Sequence, residues 1–156
     1  MSFKNWLFWM VGLVGLIFDQ ITKYVISHTL ELGESIPLWD GVFHFTYVTN
    51  KGAAFSLFRE SGGWLRWLSL TVSLGLMALA WFGPRMNRWE QLGYGFILAG
   101  ALGNGIDRFV AGEVIDFLDV RLINFAIFNI ADVFINIGIV CLLISAFAKP
   151  EKNGGS

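Results

Sequence analysis

Four long apolar runs, at residues 6–26, 64–82, 92–109 and 125–147, decide most of what this chain can fold into. Each is close to the roughly 20 residues needed to cross a hydrocarbon core about 30 Å thick. In lipid the backbone must satisfy its own N–H and C=O groups, so each run is expected as a helix. Little chain remains for a separate soluble domain. The expectation is one membrane domain over residues 1–156, an all-α bundle of four transmembrane helices. Hydrophobic residues make up 55% of the chain, above the roughly 45–50% usual for soluble domains.

Lys4 followed by an apolar run also describes a signal peptide. No Ala-x-Ala site follows it, and the run exceeds the usual h-region of about 7–15 residues. The first run is therefore kept as a helix. Cys141, the single cysteine, lies in the fourth run and reads as a small apolar packing residue. A net charge of −1, with no basic face interleaved with aromatics, gives no reason to invoke nucleic acid.

Four spans put both termini on one side, with Lys4, Arg85, Arg88, Lys149 and Lys152. The short turn bearing Arg85 and Arg88 marks that side as cytoplasmic. Residues 28–63 and 110–124 then face outward. Tryptophans fall mostly at the ends of the runs, as interfacial belts do. Gly95, Ala99 and Gly103 form a small-residue ridge along the third run, which reads as a helix-packing surface. The first outer segment is β-branched and aromatic from Val42 to Val48, between turn signals at Asp40-Gly41 and Lys51-Gly52. A β-rich outer subdomain is expected over about residues 34–58, joined by 113–120.

Ionisable residues inside membrane spans are functional candidates by default. Asp19 and Lys23 are four residues apart and share a helix face. Asn104, Asp107 and Arg108 occupy i, i+3 and i+4 in the third run, and Asn129, Asp132 and Asn136 lie at similar spacing in the fourth. At about 1.5 Å per helical residue, all three clusters converge just inside the outer boundary of the bilayer. Asp116 and Asn50 can reach the same level. Asp19, Lys23, Asp107 and Arg108 could equally be structural ion pairs. Asp116 and Asp132 are left without an obvious basic partner. Two carboxylates close together in a partly dry site share a proton, and such a pair can activate a water and protonate a leaving amine.

Other chemistries are poorly supplied. His-Glu-x-x-His and Gly-x-Ser-x-Gly are absent. His28 and His44 read as interfacial packing residues. A Ser–Lys dyad from Ser27 with Lys23, or Ser56 with Lys51, has no further support. Carboxylates without histidines would suit only hard, weakly held ions, and no metal or other cofactor is expected. A proton pathway would need charged residues through the full depth of the bilayer, and an assembly subunit would use the ion pairs only to hold helices together.

Five segments in order then carry a resemblance. They are Asp19-Gln20-Ile21-Thr22-Lys23, Asn50-Lys51-Gly52-Ala53-Ala54-Phe55, residues 100–108 (GALGNGIDR), Val114-Ile115-Asp116-Phe117 and Phe128-Asn129-Ile130-Ala131-Asp132. Across nearly its whole length the sequence resembles the lipoprotein signal peptidases, or signal peptidase II. The resemblance implies an aspartic endopeptidase of the bacterial cytoplasmic membrane. Such an enzyme removes the signal peptide of a prolipoprotein by cutting before a cysteine that carries diacylglyceryl. It implies Asp116 and Asp132 as the catalytic pair, with Asp19, Lys23, Asn50, Asn104, Asp107, Arg108 and Asn129 as supporting residues. The small residues from Gly52 to Ala54 would suit a loop lying close over the bound peptide. The expected partners are the lipidated substrate and membrane lipid, and the expected state is a monomer.

Overall fold

The computed structural model describes residues 4–52 and 62–148. The loop residues Ala53, Ala54, Phe55, Ser56, Arg59 and Glu60 and the basic residues Lys149 and Lys152 lie outside them. Four long helices are present: α1 (Trp6–Thr29), α2 (Gly62–Phe82), α3 (Arg88–Val110) and α4 (Ile130–Phe147). Three of them, Trp6–Thr29, Gly63–Phe82 and Ile130–Phe147, are long and apolar enough to cross a membrane. Helix α3 is as long, but Glu90, Gln91, Asn104, Asp107, Arg108 and its glycines lower its hydropathy.

That composition suits its position. Helix α3 packs against α1, α2 and α4, so it lies among the other three. Its small residues explain how closely they approach. The ridge predicted at Gly95, Ala99 and Gly103 meets α1. A Cβ on Gly95 would stand 2.9 Å from the Phe8 carbonyl, and one on Gly15 would stand 2.8 Å from Ala99 Cβ. On the other side, a Cβ on Gly138 would lie 2.6 Å from the Gly93 carbonyl, so α3 and α4 cross backbone against backbone. Dispersion contacts and close packing, rather than hydrophobic transfer, hold helices together in lipid, and small residues make them possible.

The connection between α2 and α3 is tied to the start of α1. Asn5 donates to the Ala80 carbonyl (2.9 Å) and accepts from the Met86 amide (3.0 Å), and Lys4 reaches the Gly83 carbonyl. Asn87 and Glu90 close a capping box at the start of α3. Asn87 also donates to Ser145 Oγ near the end of α4 (2.8 Å). Lys4, Arg85 and Arg88 therefore lie at one end of the bundle.

The other end carries a three-stranded antiparallel sheet, β1 (Ser35–Trp39), β2 (Phe43–Asn50) and β3 (Val114–Val120), in the order β1-β2-β3. The β-rich stretch forms two strands because the chain turns at Asp40-Gly41, where Gly41 takes a φ of 70°. Such a φ suits a residue without Cβ. Pairing between β2 and β3 shifts by one residue, since Phe45 faces Leu118 while Val48 faces Asp116. This bulge changes the parity of β2. His44 and Thr46 turn to the face that holds Asp119, and Asn50 turns to the face that holds Asp116.

One boundary differs from the sequence expectation. The fourth apolar run begins at residue 125, but α4 begins at Ile130. Phe128 bridges to Leu118 through paired backbone hydrogen bonds, so the stretch before the helix follows the sheet. Asn129 is the N-cap of α4 and Asp132 its third residue, in a reciprocal capping box.

Gly138→Val should lower the thermal stability of the detergent-solubilised protein by about 1–3 kcal/mol, the usual cost of overpacking. Gly75→Ala, where a Cβ would meet nothing within 4 Å, should leave the melting temperature unchanged.

Candidate active site

The polar residues of α1, α3, β2, β3 and the start of α4 converge where the sheet meets the bundle. At the centre is Lys23, 2% exposed. Its Nζ stands 2.9 Å from Asp19 Oδ2 and 2.7 Å from Asp107 Oδ2, and donates to Asn104 Oδ1 at 3.1 Å. An ammonium has three protons, and all three find acceptors. Asp107 thus pairs with Lys23 rather than with its neighbour Arg108. Asp19 is fully buried and accepts from the Ala131 amide at 2.9 Å, which links α1 to the first turn of α4.

The network then runs outward through two asparagines. Lys23 has nothing but protons to offer, so Asn104 must present its oxygen to it and its amide to the other side. That amide donates to Asp132 Oδ1 at 2.9 Å. Asn129, fully buried, donates to Asn104 Oδ1 (3.0 Å), to Asp116 Oδ1 (2.7 Å) and to the Ile115 carbonyl (3.2 Å). Its two amide protons serve three acceptors, so at least one is shared. Asn129 Oδ1 accepts from the Asp132 amide (3.0 Å), while Asp132 Oδ2 accepts from the Asn129 amide (3.2 Å). Asn50 donates to Asp116 Oδ2 (3.2 Å) and accepts from the Gly52 amide (3.0 Å).

Asp116 and Asp132 line a cavity of about 720 Å³ together with Asn50, Gly52, Arg108, Asn136 and the segment 124–128. Burial pushes the Asp116 carboxyl up to about 6. The nearby charge of Asp132 pushes the same way, while hydrogen bonds from Asn50 and Asn129 resist. Arg108 donates to the Asn104 carbonyl at 3.4 Å, and its buried Nε has no hydrogen-bond partner among the described residues.

All of Asp19, Lys23, Asn50, Gly52, Asn104, Asp107, Arg108, Asp116, Asn129 and Asp132 are thus brought to one region. The Ser27–Lys23 dyad is not, because Ser27 Oγ bonds the Tyr24 carbonyl and His28 Nδ1 while Lys23 is held by carboxylates. His44 lies on the opposite sheet face from Asp116, beside Ser35 Oγ (3.2 Å) and the Gly41 amide (3.3 Å). On that face burial alone would raise Asp119, but hydrogen bonds from Thr46 (2.7 Å) and Arg121 (2.9 Å) hold it below the usual carboxylate range. Among the described residues no group of three or more His, Cys, Asp or Glu could hold a metal ion.

A family model described as signal peptidase (SPase) II matches residues 11–148 of the chain. The chain belongs to the signal peptidase II family. A lipoprotein signal peptidase of Microcystis aeruginosa is 68% identical over 151 residues, covering 96% of this chain and 96% of that protein. One from a Nostoc species is 62% identical over 153 residues, covering 98% and 97%. The fold is similar to that of a bacterial membrane enzyme solved by the in meso method at 2.3 Å. The TM-score is 0.84 at 29% identity, over 96% of this chain and 93% of that one. A second such structure, at 1.9 Å, gives a TM-score of 0.80 at 30% identity, over 91% and 93%.

Two residues of this signal peptidase II member escaped the sequence reading as site residues. Gln20 donates between carboxylates, to Asp107 Oδ1 (3.0 Å) and Asp19 Oδ2 (3.2 Å). Its signal was an amide in an apolar helix beside an aspartate. Gly103, read only as part of a packing ridge, leaves the room that Asp19 fills, because a Cβ there would collide with the Asp19 carboxylate.

Lys23→Met should strand two buried carboxylates and cost about 3–5 kcal/mol of stability, read as a fall in thermal midpoint. Asp116 gives a second expectation. A carboxyl raised from 3.8 to about 6 binds more protons folded than unfolded between those values. Its contribution is fully present below about pH 4 and is lost as pH rises through about 6. Asp116→Asn should therefore stabilise the protein at pH 8 by about 1–3 kcal/mol and bring no such gain at pH 4. Denaturation at the two pH values checks the sign.

Proposed function

We propose that this chain is an aspartic endopeptidase of a bacterial membrane, that it removes the signal peptide from diacylglyceryl-modified prolipoproteins, and that Asp116 and Asp132 perform the cut. One observation carries the assignment of the pair. Two carboxylates on separate elements line one cavity, without a salt-bridge partner among the described residues, and are joined through Asn129. Family membership supports the reaction, and the lipoprotein signal peptidases similar to it over nearly their full length support the substrate.

The chemistry follows from the environment of each carboxyl. Asp116 is held toward its protonated form and serves as the acid. Its proton hydrogen-bonds to the scissile carbonyl and stabilises the oxyanion that develops there. Asp132 serves as the base and takes a proton from the water that attacks that carbonyl. The tetrahedral intermediate then collapses as a proton passes to the leaving amine. Asn104 and Asn129 hold the two carboxylates in register, and Arg108 faces the cavity with a guanidinium that can meet a peptide carbonyl. Gly52, on the cavity wall, presents backbone without a side chain to the peptide. No cofactor enters this scheme.

The topology belongs to the same proposal. Helix α3, about 34 Å long at roughly 1.5 Å per residue, is the fourth span, shielded from lipid by its neighbours. Residues 1–156 form one domain. The end bearing Lys4, Arg85 and Arg88 faces the cytoplasm, as basic residues favour, and both termini lie there. The sheet and the dyad lie at the outer leaflet, where water reaches the site and the diacyl chains of the substrate stay in lipid. The working unit is a monomer, since one chain contains every residue of the site.

Asp116→Asn and Asp132→Asn should each abolish cleavage of a lipid-modified prolipoprotein by the purified enzyme, while the protein remains folded and inserted. The products are separated by size. Full cleavage by either variant would remove that residue from the dyad.

A further inference from the structure

Asn136 has no part in the network around the dyad, yet it lies on the wall of two cavities. One is the cavity that holds Asp116 and Asp132. The other is a groove of about 350 Å³ along α4, lined by Val133, Asn136, Ile137, Val140 and Cys141. Asn136 is the polar residue between the two, and it is exposed. An exposed amide on a helix that crosses hydrocarbon is costly unless something satisfies it.

Its own helix satisfies only part of it. Asn136 Nδ2 donates to the Asp132 carbonyl at 2.9 Å. That bond fixes the amide with its nitrogen toward the helix and its oxygen away from it. Among the described residues nothing donates to that oxygen. The groove therefore offers an acceptor at its polar end and apolar walls beyond, running from the dyad toward Cys141 over roughly 13 Å.

The donor that fits is a peptide N–H. A segment cut at the dyad cannot be helical at the scissile bond, because its carbonyl must open to the attacking water. The residues just before the bond lose their helical partners in a medium with little water, and each N–H left without an acceptor there is expensive. An acyl chain has no donor at all, and a glycerol ester has only acceptors. We infer that Asn136 Oδ1 accepts a backbone N–H from the signal-peptide side of the substrate, within the few residues before the scissile bond, and that the groove along α4 holds the apolar side chains of that segment. Asn136 is then a substrate-binding residue. This rests on the peptidase reading above.

A cycle of substitutions in enzyme and substrate tests it. The substrates are a diacylglyceryl prolipoprotein peptide and three depsipeptide forms, each with one of the three amide N–H groups before the scissile bond replaced by an ester oxygen. Asn136→Leu should cut the all-amide peptide with kcat/KM about tenfold lower. One of the three esters should cost the wild type a similar factor and cost Asn136→Leu nothing further. Losses that multiply for all three esters would overturn the contact. So would insensitivity of Asn136→Leu to a substrate with ether-linked chains that slows the wild type, since the lipid would then be the partner. If Asn136→Leu does not fold, Asn136→Ala enters the same cycle. Failure of the wild type to cut the all-amide peptide would overturn the peptidase reading and this contact together, whereas normal cleavage with multiplying losses overturns the contact alone.

Discussion

A lysine ammonium buried at the meeting point of α1, α3 and the start of α4 sets the terms for the rest of the molecule. Taking that charge out of water costs several kcal/mol unless its surroundings return the loss. Asp19 and Asp107 do so from two helices, and Asn104 completes the set. Each of these residues is then committed in turn. Asp19 must also receive the Ala131 amide, which fixes where α4 starts relative to α1. Asn104 must turn its amide toward Asp132. The orientation of hydrogen bonds at the cavity is thus decided two residues back, by a group that can only donate.

The same arrangement explains why the site is polar without being loose. Asp132 is part of the cap of its own helix, and Asn129 is both that cap and the link to Asp116. The carboxylates are held by backbone and by short amide side chains with few rotatable bonds, on elements that pack closely through glycine. Asp116 bears the cost of this. Its environment favours the protonated form, so ionising it at neutral pH costs the folded protein stability.

Much of this was legible in the sequence, for physical reasons that differ from place to place. Helices α1, α2 and α4 were visible because lipid demands long apolar runs, and the strands from β branching around Asp40-Gly41. Charges in such runs are rare, so Asp19, Lys23, Asp107 and Asp132 stood out without any alignment. The start of α4 was less clear. Apolarity begins at residue 125, but Phe128 is claimed by the sheet, and hydropathy cannot tell an apolar strand edge from an apolar helix. The Asn129-x-x-Asp132 spacing of a capping box was in plain view, and was read as one face of a helix already under way. The pairing of Lys23 with Asp107 across two helices, and the place of Gln20 between carboxylates, depend on which faces of α1 and α3 meet. No local pattern encodes that.

The bulge in β2 has a consequence of its own. Because one extra residue between Phe45 and Val48 exchanges the two faces of the strand, the site depends on the length of this stretch more than on the identity of its side chains. Replacing Tyr47 would alter a surface. Adding a residue between Val48 and Asn50 would act as a phase error, sending Asn50 to the face of His44 and Thr46 and leaving Asp116 Oδ2 without its donor. In this strand an insertion is a change of chemistry, made at a distance from the residues that carry it.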